Sequence, residues 1–281
     1  MNEPRAAEAG YAAILAFRAL RETLTDSTLQ QQWQDEQLAS QQQFVSRFSA
    51  DPRAIDVLYD TMQQQFELKR YLLAIESAES ILAWQPTVDA QRKMSGQLVI
   101  AHSEFALQQY QGAEASYEQI LADLEQTDPR YNDMLERLAA SIYKQAEDNL
   151  AKQYVALAIE DFLRVIAKAP SSSIRVNAQY DAASYLLEMR SWTEAISLLE
   201  DFRVRFASHP LTESIQDKLI FAYQQNQDWL PAAEELKQLW ETYPDSEEGR
   251  EALYIAAQYY LKAQSRDAAL DTYRTYAHRY P

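Results

Sequence analysis

The sequence predicts an all-α fold, an α-α superhelix built as a solenoid of about six to seven antiparallel helical hairpins. Three observations carry this expectation. Glycine is nearly missing: only Gly10, Gly96, Gly112 and Gly249 occur among 281 residues, and a sheet protein of this size needs many more for its turns and bulges. Prolines recur at near-regular intervals. A small residue with an aromatic three positions before it recurs in phase with those prolines.

The prolines are the ruler. Pro52, Pro86, Pro129, Pro170, Pro210, Pro244 and Pro281 are separated by 34, 43, 41, 40, 34 and 37 residues, and Pro4 and Pro231 fall outside the series. Twelve residues before Pro86, Pro170, Pro244 and Pro281 stand Ala74, Ala158, Ala232 and Ala269, and Ala113 and Ala195 take this role in the two remaining intervals. Tyr71, Tyr110, Trp192 and Trp229 lie three residues ahead of their alanine, Tyr154 is displaced by one, and Arg266 is the exception. A small residue lets the two helices of a hairpin approach, and an aromatic ring fills the wedge at the turn. The residue four further on shares that face. Proline closes each unit because it cannot donate the helical hydrogen bond and pushes its predecessor out of the helical region.

The helices follow from these marks. First helices are expected near 5–24, 53–67, 88–108, 131–151, 173–188, 212–225 and 246–263, and second helices near 28–48, 70–84, 111–126, 154–168, 191–207, 229–242 and 266–279. Asp51 and Asp128 precede prolines at first helical positions, Thr87 and Ser171 follow prolines as N-caps, and Asp245 with Glu248 has capping-box spacing. In the glutamine-rich stretch 30–44, Leu29, Trp33, Leu38 and Phe44 recur at loosely helical intervals, so an ordered amphipathic helix with a polar back is expected there. No Gly-, Ser- or Pro-rich linker interrupts the series. Residues 1–281 therefore read as a single solenoid, with a divergent N-terminal hairpin at 1–50 and repeats at 51–281 that look like a fragment of a longer array.

At a formal net charge of -16, a nucleic-acid backbone is repelled, and no nucleic-acid partner is expected. No stretch reaches the roughly 20 consecutive apolar residues of a membrane span, so no membrane insertion by this segment is expected. Without cysteine, thiolate metal sites and cysteine nucleophiles are excluded. His102, His209 and His278 are isolated from one another, and no HExxH, GxxxxGK[ST], GxGxxG or GxSxG motif occurs. Catalytic residues, metal ligands and cofactors are accordingly expected to be none. The acidic pairs Glu234-Glu235 and Glu247-Glu248 read as solvated helix faces.

In the last interval, Leu253, Ala256, Ala257 and Tyr260, with Ala269 and Pro281, fall on the pattern of the tetratricopeptide-repeat family, which the chain resembles over nearly its whole length. The three middle repeats are longer than the family norm, and alanine stands at Ala101, Ala146, Ala183 and Ala257 in place of the usual first-helix glycine. The phrases "RFASHPLTESIQDKL" and "TYPDSEEGREALYIAAQYYLKA" resemble bacterial envelope repeat proteins. These include the lipoprotein of the outer-membrane β-barrel assembly machine and the periplasmic partner of the Tol system. The resemblance implies a non-catalytic scaffold that binds a protein or peptide in a concave groove, at the periplasm or outer membrane of a Gram-negative bacterium. By the family's pattern the groove residues are Tyr180, Ser184, Asp217, Phe221, Gln224, Tyr254 and Gln258, with Tyr180, Phe221 and Tyr254 as anchors.

Three alternatives stand beside this reading. One is a helical accessory module of a peptidoglycan-processing enzyme. Another is a self-assembling array, or a homo-oligomer, joined through the C-terminal repeat, where Tyr273, Tyr276 and Tyr280 are expected to lie uncovered. The third is a cytoplasmic location, because the opening MNEPRAAEAG lacks the features of a secretory signal.

Overall fold

The computed structural model describes residues 3–280. Among them lie fourteen α-helices, one 3₁₀ turn and no strand. The helices are α1 (Glu3–Thr23), α2 (Ser27–Arg47), α3 (Ala54–Glu67), α4 (Tyr71–Leu82), α5 (Ala90–Ala106), α6 (Tyr110–Asp123) and α7 (Tyr131–Ala151). They continue with α8 (Val155–Lys168), α9 (Arg175–Glu188), α10 (Trp192–Arg205), α11 (Ile215–Asn226), α12 (Trp229–Thr242), α13 (Glu247–Lys262) and α14 (Arg266–Arg279). Each expected helix is found within a few residues of its place. The chain divides into two compact units, Met1–Ser141 and Ile142–Pro281, and the division falls inside α7. Within the units, helices adjacent in sequence pack together, as α3 does on α4, α4 on α5, α11 on α12 and α12 on α13.

Six of the hairpin turns share one geometry. Lys69, Gln108, Gln153, Arg190, Gln227 and Gln264 adopt the left-handed conformation, with φ between 58° and 64°. The next residue's N–H reaches back five positions, as in Arg70 to Gln65 (2.8 Å), Asp228 to Tyr223 (2.9 Å) and Ser265 to Tyr260 (2.8 Å), closing the orphan carbonyls of the first helix. Each left-handed residue stands five before the alanine that the sequence singled out. Ala74, Ala113, Ala158, Ala195, Ala232 and Ala269 are all fully buried. No glycine marks these turns, and long polar side chains accept a conformation that glycine takes without steric cost.

Measured by this turn, the later repeats are uniform. The left-handed residues at 153, 190, 227 and 264 are each 37 apart, whereas the proline intervals varied because the connections between hairpins vary. One such connection is a 3₁₀ turn, Pro210–Ser214, capped by His209, whose Nδ1 accepts from the Leu211 N–H at 3.3 Å.

The aromatic wedges behave as expected at Tyr71 against Phe66 (5.9 Å between rings), Tyr110 against Phe105 (5.4 Å) and Trp229 against Tyr259 (5.1 Å). Tyr154 does not: it precedes α8 and is exposed, while Val155 packs against Ile159, Leu186 and Ala195. Several caps also shift by a residue or two. Ser246, not Asp245, caps α13 by accepting from the Gly249 N–H at 2.9 Å, and Asp245 instead accepts from Arg279 at 2.6 Å. Asp89 rather than Thr87 caps α5, and Ser172 rather than Ser171 accepts from the Ile174 N–H. Asp51 and Asp128 each accept from the N–H and the guanidinium two residues on, at Arg53 and Arg130, forming matching Asp-Pro-Arg hooks before α3 and α7.

The N-terminal hairpin departs from the expected polar back. Gln37 and Gln41 of α2 are buried beside Leu38 and Phe44, and Leu29 is exposed. A polar seam results, with Gln37 Nε2 donating to Gln64 at 3.3 Å and Ser77 donating to Gln65 at 2.7 Å. The Oε1 atoms of Gln37 and Gln41 find no partner among the described residues.

A candidate protein-binding cleft between α11 and α13

The 37-residue turn spacing aligns the first helices of the second unit position by position. Tyr180, Asp217 and Tyr254 occupy one column across α9, α11 and α13, and Ser184, Phe221 and Gln258 occupy the next. Because 3.6 residues make a turn, these columns and Gln224 lie along one stripe of each helix. Their side chains meet different surroundings.

Tyr180 is half-buried and engaged by its neighbours. Its hydroxyl is 3.0 Å from Ser214 Oγ, its ring lies 5.9 Å from Phe202, and Lys218 Nζ sits 5.0 Å over the ring. Tyr254 turns toward α14, with its ring 6.0 Å from Tyr273 and 5.4 Å from Tyr276. Tyr276 in turn meets Tyr280, whose hydroxyl donates to the Pro244 carbonyl and accepts from Trp240 Nε1 at 2.8 Å. Tyr273, Tyr276 and Tyr280, expected to be uncovered, are half-buried in this ladder. Ser184 Oγ is enclosed without a hydrogen-bond partner, and Gln258 is exposed.

Asp217, Phe221 and Gln224 come together. They form one bank of a cleft of about 270 Å³ whose other bank is Glu248, Glu251 and Ile255 of α13 and whose floor includes Ile220, Leu236 and Leu239. Phe221 is 46% exposed, and its ring meets Trp192 edge-on at 5.7 Å, which fixes its direction without covering it. Serial burial of Ile215, Leu219, Ala222 and Tyr223 seats α11 in the core and leaves Asp217, Phe221 and Gln224 on its open side. Sequence reasoning missed Glu248, which read as a helix-start residue, and did not single out Glu251. The three-residue step between them, with Ala252 four residues after Glu248 and Ile255 four after Glu251, was the available signal. No ion pair engages Asp217, Glu248 or Glu251 among the described residues.

Elsewhere the titratable groups serve packing. His102 Nδ1 lies 2.6 Å from the Tyr117 hydroxyl, and burial, reinforced by the Arg137 charge, pushes the imidazole down to about 4. The same burial raises Tyr117 to about 12. His278 is exposed. Among the described residues no three His, Asp or Glu side chains gather to hold a metal ion, and no helix is long and apolar enough to cross a membrane. The first unit has a larger cleft, about 740 Å³, between α3, α5 and the connection to α7, lined by Tyr59, Met94, Leu98 and Leu124.

Repeated hairpins with one turn geometry and one buried alanine coincide with a sequence match: residues 172–280 fit the family model YfiO, described as an outer membrane lipoprotein. Over that stretch, about two fifths of the chain, it is similar to that family. Solved tetratricopeptide structures are among its similar folds. One is a repeat protein from Parabacteroides merdae, at 12% identity over 99% of this chain and 94% of that one, with a TM-score of 0.34. Another is the TPR2AB domain of yeast Sti1 in a pHSP90 complex, at 15% identity over 93% and 99%, with a TM-score of 0.37. A third comprises the TPR-like repeats of a putative kinesin light chain from Podosopora anserina, at 20% identity over 66% and 94%, with a TM-score of 0.33. No curated protein matches the chain.

Proposed function

We propose that this chain is a tetratricopeptide-type, non-catalytic scaffold of a bacterial cell envelope, periplasmic or associated with the outer membrane. It holds a segment of a partner protein along the first helices of its second unit. The observation that carries the reading is Phe221: a half-exposed aromatic ring, braced by Trp192, above an apolar floor and between polar banks. An open ring continuous with an apolar floor makes a contiguous apolar patch of the kind that marks binding surfaces, and rigid aromatic anchors contribute most of the energy at such interfaces. The groove comprises Tyr180, Ser184, Asp217, Phe221, Gln224, Tyr254 and Gln258. Asp217, Phe221 and Gln224 contact the partner, while Tyr180 and Tyr254 hold the hairpins that frame the cleft. The match to an outer membrane lipoprotein family supports the envelope assignment.

The test is affinity capture of envelope proteins by the tagged full chain, comparing wild type with a Phe221→Ala/Gln224→Ala variant and with Val204→Ala. Val204 is 81% exposed on α10 and serves as a control. Loss of the same captured protein from the double variant alone is expected. Equal capture by all three folded proteins would remove the cleft assignment.

A further inference from the structure

The cleft at Phe221 also carries information about what fills it. At about 270 Å³ it lies below the roughly 300–1,000 Å³ common for small-molecule sites, so its scale suits one or two protein side chains. Its floor is apolar, and its banks hold Asp217 on one side and Glu248 and Glu251 on the other. In the cleft of the first unit two carboxylates are paired, Asp123 with Lys93 at 3.1 Å and Asp128 with Arg130 at 2.8 Å. The three carboxylates of this cleft meet no cation among the described residues, and no Lys or Arg lines it. An apolar slot ringed by unpaired anions is complementary to an apolar side chain flanked by cations.

We propose that the cleft between α11 and α13 recognises a basic amphipathic segment of a partner protein: an aliphatic or aromatic side chain seated against Phe221, with Lys or Arg within one turn on either side. The proposal rests on the scaffold reading of the same cleft and adds the chemistry of the occupant. Apolar contact supplies the affinity, and the carboxylates steer association and reject acidic segments. Because the banks are open to solvent, the interaction weakens with salt as the screening length falls from about 10 Å at 0.1 M to about 3 Å at 1 M.

The experiment is selection of a displayed random 12-residue peptide library on the full chain, followed by affinity measurement of the leading peptides. They are measured on wild type, on Phe221→Ala, on Asp217→Asn/Glu248→Gln/Glu251→Gln, and on a charge-matched control, Glu188→Gln/Glu194→Gln/Asp267→Asn. The expected peptides are net positive with a central apolar residue, and their binding falls on the order of tenfold in each cleft variant while the control is unchanged. Peptides that depend on Phe221 yet are neutral or acidic would overturn the basic-segment proposal and leave the scaffold reading standing. Equal losses in the cleft-charge variant and the control would also overturn it, by reducing the effect to net charge. Failure to enrich any peptide, or binding indifferent to Phe221→Ala, would sink both.

Discussion

The two clefts differ in what their charges are doing. In the first unit Asp123 is held by Lys93 and Gln97, Asp128 is locked to Arg130, and the Tyr59 hydroxyl donates to Ser95, so two of the three carboxylates lining the larger cleft are paired within the chain. In the second unit the smaller cleft leaves Asp217, Glu248 and Glu251 unpaired around an open Phe221. Volume and unpaired charge therefore single out different clefts. The contrast extends to the cores. The first unit places a glutamine seam in its interior, whereas α11 to α13 are seated by Leu219, Ala222, Leu236, Leu253 and Ala256.

The largest expected effect tests the bank that carries Glu248 and Glu251. A Cβ on Gly249 would lie 2.0 Å from the Tyr243 carbonyl oxygen, a backbone atom, so Gly249→Ala must displace the start of α13. Denaturant unfolding should show a loss of about 1–3 kcal/mol. Gly112→Ala in the first unit meets the movable Glu104 side chain at 2.8 Å instead and should cost less than about 1 kcal/mol. Equal effects would mean that the α13 start is not held as described.

Acid should act on the first unit ahead of the second. His102 is lowered to about 4 from an ordinary value of 6.5, so between those values the unfolded chain binds the proton first and stability declines as pH falls from about 6.5 through about 4. Thermal unfolding of His102→Gln across that range should lack this decline. Below it, Asp51 and Asp128, lowered to about 2 by the Arg53 and Arg130 hydrogen bonds, contribute stability that is complete above about 3.8 and lost as pH falls through about 2. NMR titration midpoints near 4 for either aspartate would contradict the hooks.

Smaller effects refine the contrast of cores. Gln41→Met removes a buried carbonyl that has no partner and should stabilise the chain by about 1 kcal/mol in chemical denaturation. Gln108→Gly and Gln227→Gly, one in each unit, relieve the same left-handed geometry (φ 61° and 63°) and should each raise stability by about 0.5–1 kcal/mol. A gain in one unit only would show that the turns are not equivalent.

Much of this was legible in the chain itself. Proline, alanine and aromatic spacing located the helices after residue 50 because each mark reflects a local requirement: a stop, a close approach, a filled wedge. The shared turn was hidden because residues such as Gln227 carry a conformation that composition assigns to glycine. Ser246 was overlooked as a cap because Asp245 offered the same chemistry one residue earlier. In the candidate site, helical phase placed Asp217, Phe221 and Gln224 together. It could not tell that Tyr180 and Tyr254 turn into neighbouring rings, since that depends on Phe202 and on Tyr273 and Tyr276 from other helices. Glu248 and Glu251 enter the cleft through the packing of α13 on α12, a tertiary fact with only a faint helical signature.

Whether the cleft with unpaired charges or the larger one receives a partner is decided by site-specific photo-crosslinking in intact cells. A photoreactive residue is placed at Phe221 or at Met94 in the full-length protein. The account predicts a discrete crosslinked partner from position 221 and none from position 94. Crosslinking from 94 alone, or from neither position, would contradict it.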